Sequence, residues 1–289
     1  MSEISDIGLV FGGGGAKGAY QIGVWNTFKI YGLDKYVKAV SGTSVGALNA
    51  VLFALGDYDK ARQIWETITL SDMLHLNTNY PDNIYDLFSF DGIKKFIDSL
   101  DLEKLPYSNI DVYVSYKNIG DKNAIDYILE QLSPSLKFTN DTIQQIKRFF
   151  TEEVEFCKIN DAPIEFIKNI LLASIAMPII YKCIHINKKM YSDAGTTKFG
   201  NVPIEPLYEN GFKNICVVPL KYNFDIHKIK TNIHAYENYK DCNFAIIKPS
   251  KDLGSKFDFS QKSIAERLEL GEVDSYRVLR NAWIDKYSF

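Results

Sequence analysis

The stretch GLVFGGGGAKGAYQIGV, residues 8–24, places a four-glycine run between a short apolar segment and a helix-like one. Glycine loses more conformational freedom on folding than any other residue, so such a run implies a tight turn or a close approach to the backbone. Upstream, IGLVF (7–11) is a short apolar run and reads as a buried strand. Downstream, Tyr20, Val24, Phe28 and Tyr31 recur at helical spacing, with Gly32 as a stop. The pattern then repeats: YVKAV (36–40) reads as a second strand, and SVGALNAVLFALG (44–56) as an apolar helix ended by Gly56. Two strand–glycine turn–helix units in succession predict an α/β fold, a three-layer α/β/α sandwich around a mainly parallel central sheet.

Further along, DYDKARQIWETI (57–68), DGIKKFIDSL (91–100), DTIQQIKRFF (141–150) and APIEFIKNILLAS (162–174) have amphipathic or apolar helical patterns. DVYVSYKN (111–118) alternates like a strand, and YKCIHI and KKMYSD suggest a hairpin turning at Asn187. NICVVPL (214–220) and NFAIIKP (243–249) read as buried strands, and residues 260–289 as helix, with Gly271 breaking it into two segments. No repeat, low-complexity tract or Pro/Gly-rich linker interrupts the 289 residues, so one domain spanning 1–289 is expected.

Composition narrows the function. The hydrophobic fraction of 46% and charged fraction of 24% are ordinary for a globular protein, and the net charge of −3 argues against a general nucleic-acid binder. The 18 Tyr and 18 Phe are many for this length; most are expected in the core, and some suit an apolar pocket or peripheral contact with a membrane. Cys157, Cys183, Cys216 and Cys242 are widely spaced with no CxxC pair, which predicts reduced thiols and no metal. The amino terminus lacks a signal-peptide pattern, and ILLASIAMPIIY (170–181) is too short to span a bilayer. A cytoplasmic protein is expected; secretion without a signal would leave the same pattern.

The glycine loop contains Gly13-x-Gly15-x-x-Gly18, the dinucleotide spacing, but the second strand runs into KAVSGTS without the carboxylate that would hold a ribose. Lys17 is followed by Gly18 rather than Ser or Thr, so it is no P-loop either. What the second strand does enter is GTSVG (42–46), a G-x-S-x-G elbow with a strand before it and an apolar helix after it. Ser44 would stand at the end of the sheet as a nucleophile; the bland reading is a serine that caps its helix. Adjacent parallel strands would set the glycine loop beside it, with backbone N–H groups aimed at an oxyanion. Lys17 is either an electrostatic aid or a solvated lysine. For a base, the order Ser44, Asp193, then His227 or His234 would make a triad, but no histidine, His75 and His185 included, sits in a glycine-marked turn. Asp193, in MYSDAGTTKFGNVPI (190–204), ends a strand and enters a turn with Gly195, and is the better candidate.

Together these residues resemble the patatin-like phospholipase family: GGGGAKG as the oxyanion loop with its basic residue, GTSVG as the serine elbow, ASIAMP (173–178) as an ASxxxP block, and DAG (193–195) as the aspartate turn. The motifs fall in the family order within residues 8–203, and the C-terminal third is covered only loosely. The resemblance implies a Ser44–Asp193 dyad without histidine, an oxyanion hole at Gly13, Gly14 and Gly15, Lys17 at the family's basic, substrate-binding position, and no cofactor. The implied substrate is a phospholipid or other fatty-acyl ester. Two departures stand out: Ala194 replaces the usual middle glycine, and Asn201-Val202-Pro203 is displaced by an insertion around Thr196–Gly200. The rival expectations are an acyltransferase or Ser-His-Asp esterase on the same elbow, and a non-catalytic nucleotide-binding module.

Overall fold

The computed structural model describes residues 6–76, 88–121, 154–177, 180–197, 200–228, 239 and 241–284. It opens with the two expected units: β1 (Ile7–Phe11) and α1 (Ala19–Ile30), then β2 (Val37–Thr43) and α2 (Val45–Leu55). Gly32 (φ 63°) and Gly56 (φ 76°) follow the two helices in the left-handed conformation, the geometry that glycine adopts without a Cβ penalty. Helices α3 (Tyr58–Thr67), α4 (Leu70–Met73) and α5 (Asp91–Asp98) follow, with the short strands β3 (His75–Leu76) and β4 (Phe88–Ser89) between the last two. Next come β5 (Asp111–Asp121), β6 (Val154–Lys158), α6 (Ile164–Ile175), and the hairpin β7 (Ile184–Ile186) and β8 (Lys189–Ser192). Its turn carries positive φ at both Asn187 and Lys188, the two-residue geometry that matches strand twist. The chain closes through α7 (Glu205–Glu209), β9 (Asn214–Val218), β10 (Asn243–Ile246) and α8 (Gln261–Leu279).

Two expectations change. Strand β6 escapes the sequence reading because VEFCK mixes charges into a five-residue run. Helix α8 runs through Gly271 without a break. A Cβ at Gly271 would strike the Tyr20 carbonyl, and one at Gly23 the Leu268 carbonyl, so these glycines let α1 and α8 pack backbone to backbone. The helix expected over residues 141–150 lies outside the described residues.

The main sheet is mixed and mainly parallel. Strands β10, β9, β1, β2 and β5 run parallel in that order, while β6 and β8 pair antiparallel with β5, and β7 with β8. Phe11 pairs with both Gly42 and Val218, so β9, β1 and β2 finish level and their loops leave from one sheet edge. Along β5, Thr43 pairs with Ser115 while Ser192 pairs with Lys117, and Lys117 also takes Val154 of β6 on its other side. Strands β2 and β8 therefore meet end to end along one edge of β5, and their exits, Ser44 and Asp193, face each other.

Alternation assigns the two sheet faces. Leu9, Phe11, Val40, Val112, Val114, Cys216 and Val218 join the large apolar core under α1, α2, α3, α5, α6 and α8. Val10, Ala39, Tyr113, Ile215 and Val217 pack on the opposite face against Ile204 and Leu207 of the α7 region, Ile226 and Tyr239. The sheet is thus flanked by helices, thickly on one face and thinly on the other.

Candidate active site

Ser44 occupies the sharp turn from β2 into α2, with φ 56° and ψ −125°, an uncommon conformation for a residue with a side chain. The elbow glycines make that turn sterically feasible. A Cβ at Gly42 would collide with the Gly46 carbonyl, and one at Gly46 with the Phe11 carbonyl. The Ser44 side chain makes no capping bond to α2, which removes the bland reading of the motif. Its hydroxyl instead lies near enough to the Asp193 carboxylate to help hold that carboxyl's pKa down.

The ASIAMP block ties the two residues together. Ser174 Oγ accepts the Ser44 N–H at 2.8 Å and donates to the Ser115 carbonyl at 2.7 Å. The Ala176 carbonyl accepts the Asp193 N–H at 2.9 Å. Pro178, the last residue of the motif, lies outside the described residues. One short segment at the end of α6 thereby fixes the backbone of both Ser44 and Asp193.

Asp193 is 4% exposed. Burial pushes its carboxyl up to about 6, and the Gly195 N–H, the Ser44 hydroxyl and the positive field of Lys256 pull it back down. The Gly195 N–H donates to Oδ1 at 2.6 Å. Ala194 in the middle of the turn is fully buried, and the short 3-10 turn Ala194–Thr196 forms around it, so the departure from the usual glycine is accommodated. Behind the turn, Thr43 Oγ1 meets Ser115 Oγ and donates to the Gly200 carbonyl at 2.6 Å, stitching the β2 exit to the insertion.

The structure divides the three loop glycines. The Gly13 N–H donates to the Asn201 carbonyl at 3.1 Å, and a Cβ there would lie 3.2 Å from Ser44 Cβ. Gly13 therefore supplies close packing against the serine rather than a free donor. Among the described residues no acceptor takes the Gly14 or Gly15 N–H. Gly15 has φ 58° and borders the pocket that contains Ser44. A buried polar network holds the loop's shape: Gln21 Nε2 donates to the Gly12 carbonyl at 2.8 Å, Asn49 Nδ2 to the Gly18 carbonyl at 3.0 Å and to Gln21 Oε1 at 2.8 Å, and Trp65 Nε1 to Asn49 Oδ1 at 2.9 Å.

The pocket beside Ser44 is walled by apolar side chains, among them Leu48, Met73, Ile93, Ile175, Met177 and Phe259. Lys17 is not among its lining residues; its ammonium lies 3.7 Å from Asp252. Lys256, which no sequence motif marks, does line it. None of His75, His185 and His227 lines it, and His234 lies outside the described residues. The sequence reading also missed Gln21, Asn49 and Trp65. Only the ASxxxP block gave a signal for Ser174.

A strained serine on a strand–helix elbow, set close to a buried carboxylate and flanked by a glycine loop with unengaged N–H groups, is an arrangement that chemically suits acyl transfer to serine. A model of the patatin-like phospholipase family matches residues 9–208, and the chain belongs to that family. Among solved structures, it is similar to VipD from Legionella pneumophila at 14% identity, with a TM-score of 0.53 over 96% of this chain and 67% of that one. It also aligns with the type III effector protein ExoU at 14% identity, with a TM-score of 0.43 over 96% of this chain and 53% of that one. No curated protein sequence matches it. Among the described residues, no helix is long and apolar enough to cross a membrane.

Proposed function

We propose that this protein is a serine-dependent lipid acyl hydrolase of the phospholipase A or lysophospholipase type, working through a Ser44–Asp193 dyad. Ser44 Oγ attacks the ester carbonyl carbon and passes its proton to the Asp193 carboxylate. The carbonyl oxygen, now carrying the negative charge, is received by the Gly14 and Gly15 N–H groups, with the positive end of α2 behind it. Collapse expels the alcohol, which takes the proton from Asp193 and leaves an acyl-enzyme. A water molecule then gives a proton to Asp193 and attacks the acyl carbon, and Ser44 departs with that proton as the fatty acid is released.

The observation that carries this reading is the buried Asp193 carboxylate set close to Ser44 at the facing exits of β8 and β2, with no histidine among the described residues that line the pocket. Burial supports the base role, because it raises the basicity of a carboxylate that in water would be a weak proton acceptor. The apolar pocket supports a long acyl chain as the group held beside the serine. The test is a panel of phospholipids, lysophospholipids and acylglycerols with mass-spectrometric detection of released fatty acid, run beside Ser44→Ala. Release by the wild type alone supports the reading. Equal release by both, or no release from any lipid, overturns it.

A further inference from the structure

Among the described residues that line the Ser44 pocket, Lys256 alone is charged. Its Nζ lies 3.0 Å from Met177 Sδ and 5.1 Å from the Phe257 ring centroid, and among the described residues no carboxylate pairs with it. A cation set on an apolar rim without a carboxylate is held ready for an incoming anion. Its field already reaches the reacting groups, since it lowers the Asp193 carboxyl.

The backbone under Lys256 is built into the site. Its carbonyl accepts the Ala16 N–H at 2.8 Å, and its Cβ and carbonyl lie where a side chain on Gly15 would have to go. Arg267 of α8, 3% exposed, locks the flanking chain. Its guanidinium donates to the carbonyls of Leu253 (3.0 Å), Ser255 (3.0 Å) and Asp258 (2.6 Å), and to Ala16 in the glycine loop (3.1 Å). A planar fork with five donors can serve four carbonyls at once, which a lysine could not do. Lys256 is thus presented from a clamped loop that shares its anchor with the oxyanion loop.

We propose that Lys256 is a specificity-determining residue that selects esters bearing a net negative headgroup, a phosphate a few bonds from the scissile carbonyl, over neutral or zwitterionic ones. The acyl chain enters the apolar pocket, the ester carbonyl reaches Ser44, and the phosphate meets the ammonium at the rim. A zwitterionic headgroup brings its own cation to the same rim, and a neutral one offers no charge. This selectivity deepens the hydrolase reading and rests on it for turnover, whereas binding tests it separately.

Two measurements decide it. In the first, calorimetry below the micellar concentration compares monododecyl phosphate with dodecanol for wild type, Lys256→Met and Lys256→Glu, with inorganic phosphate as a separate arm. Lys256→Met keeps most of the side-chain volume and removes the charge. The phosphate-over-alcohol preference should fall about 10-fold or more in Lys256→Met and further in Lys256→Glu. In the second, kcat/KM is measured for a monoacylglycerol phosphate, the matching phosphocholine and the matching monoacylglycerol. The ratio of the first to the other two should collapse to the same extent. Ser44 labelling by a fluorophosphonate checks that each variant retains its site. Unchanged ratios overturn the inference, as does an equal loss on all three esters, which would place Lys256 in the chemistry instead of in selection. Binding of inorganic phosphate as tight as that of the dodecyl ester would also overturn it, because the site would then read a free anion. If binding behaves as expected while no ester is cleaved, the hydrolase reading fails and the anion site stands.

Discussion

The site has two halves built in different ways. Residues 9–56 supply the glycine loop and the serine elbow from consecutive strand–turn–helix units, and at Gly15, Gly42 and Gly46 a carbonyl lies where a Cβ would be. The other half comes from three separated places, the α6 end at Ser174–Ala176, the β8 exit at Asp193 and the clamped loop at 253–258. That half is joined largely through backbone groups: the Ala176 carbonyl to Asp193, the Asn201 carbonyl to Gly13, the Lys256 carbonyl to Ala16. Backbone carbonyls are offered by every residue type. Close approach therefore leaves a glycine signature in the sequence, while carbonyl bonding leaves none.

The sharpest break of this two-half picture is Ser44→Ala. It should abolish fluorophosphonate labelling and lipid hydrolysis while the melting curve stays cooperative; labelling at another serine would remove the elbow from the chemistry. Next in size, Asp193→Asn should lower kcat by about 100-fold or more, the range for loss of a general base. Its effect on stability should have the opposite sign. Burial raises the folded carboxyl from its ordinary 3.8 to about 6, so its contribution to stability is fully present below about pH 3.8 and is lost as pH rises through about 6. Asparagine cannot ionise and can still accept the Gly195 N–H. Asp193→Asn should therefore melt higher than wild type at pH 8, with the gap closing toward pH 4. A variant that melts lower at pH 8 would mean that the ionised carboxylate stabilises the fold.

Within the glycine loop, Gly14→Ala tests donation and Gly15→Ala tests shape. A Cβ on Gly14 would press on Leu220 Cδ1 at 2.8 Å from an extended backbone (φ 170°), so the loop distorts without an intrinsic φ penalty. Misplacing one oxyanion donor should cost up to about 100-fold in kcat with KM little changed. Gly15→Ala adds a positive φ and a collision with the Lys256 carbonyl, and should lower the melting temperature as well. Equal melting temperatures for the two variants would contradict this division of roles.

For the wild type, kcat/KM should fall about tenfold per pH unit below about pH 6, as Asp193 takes up the proton it must accept from Ser44. A flat profile down to pH 5 would remove Asp193 as the titrating base. The smallest effect on chemistry is expected for Arg267→Gln, which leaves up to four carbonyls without their charged donor. It should destabilise by about 1–3 kcal/mol for the unmet buried groups and lower kcat only modestly. A loss of activity matching that of Gly14→Ala would mean that α8 holds the oxyanion loop as firmly as the polar network at Gln21 and Asn49 does.

Much of the fold and the first half of the site is legible in the chain itself. The short apolar run at 7–11, the second strand read at 36–40, the helical patterns after each glycine turn and the stops at Gly32 and Gly56 determine two βα units and a parallel pairing. GTSVG determines an elbow, because backbone crowding leaves no room for a Cβ at positions 42 and 46 on either side of it. Gly271 reads as a break from local propensity, and only the packing of α1 against α8 shows why a helix carries it intact. Ser192 leaves its strand opposite Thr43 because β5 is long enough to pair with β2 and β8 in succession on one edge, a matter of register between segments far apart in the chain. That register brings Asp193 to Ser44, and burial there gives the carboxyl its raised pKa. Tertiary structure likewise turned Lys17 toward Asp252 and brought Lys256 to the rim in its stead. A side chain's charge is written in the sequence, but its desolvation and its neighbours are set only when distant segments pack.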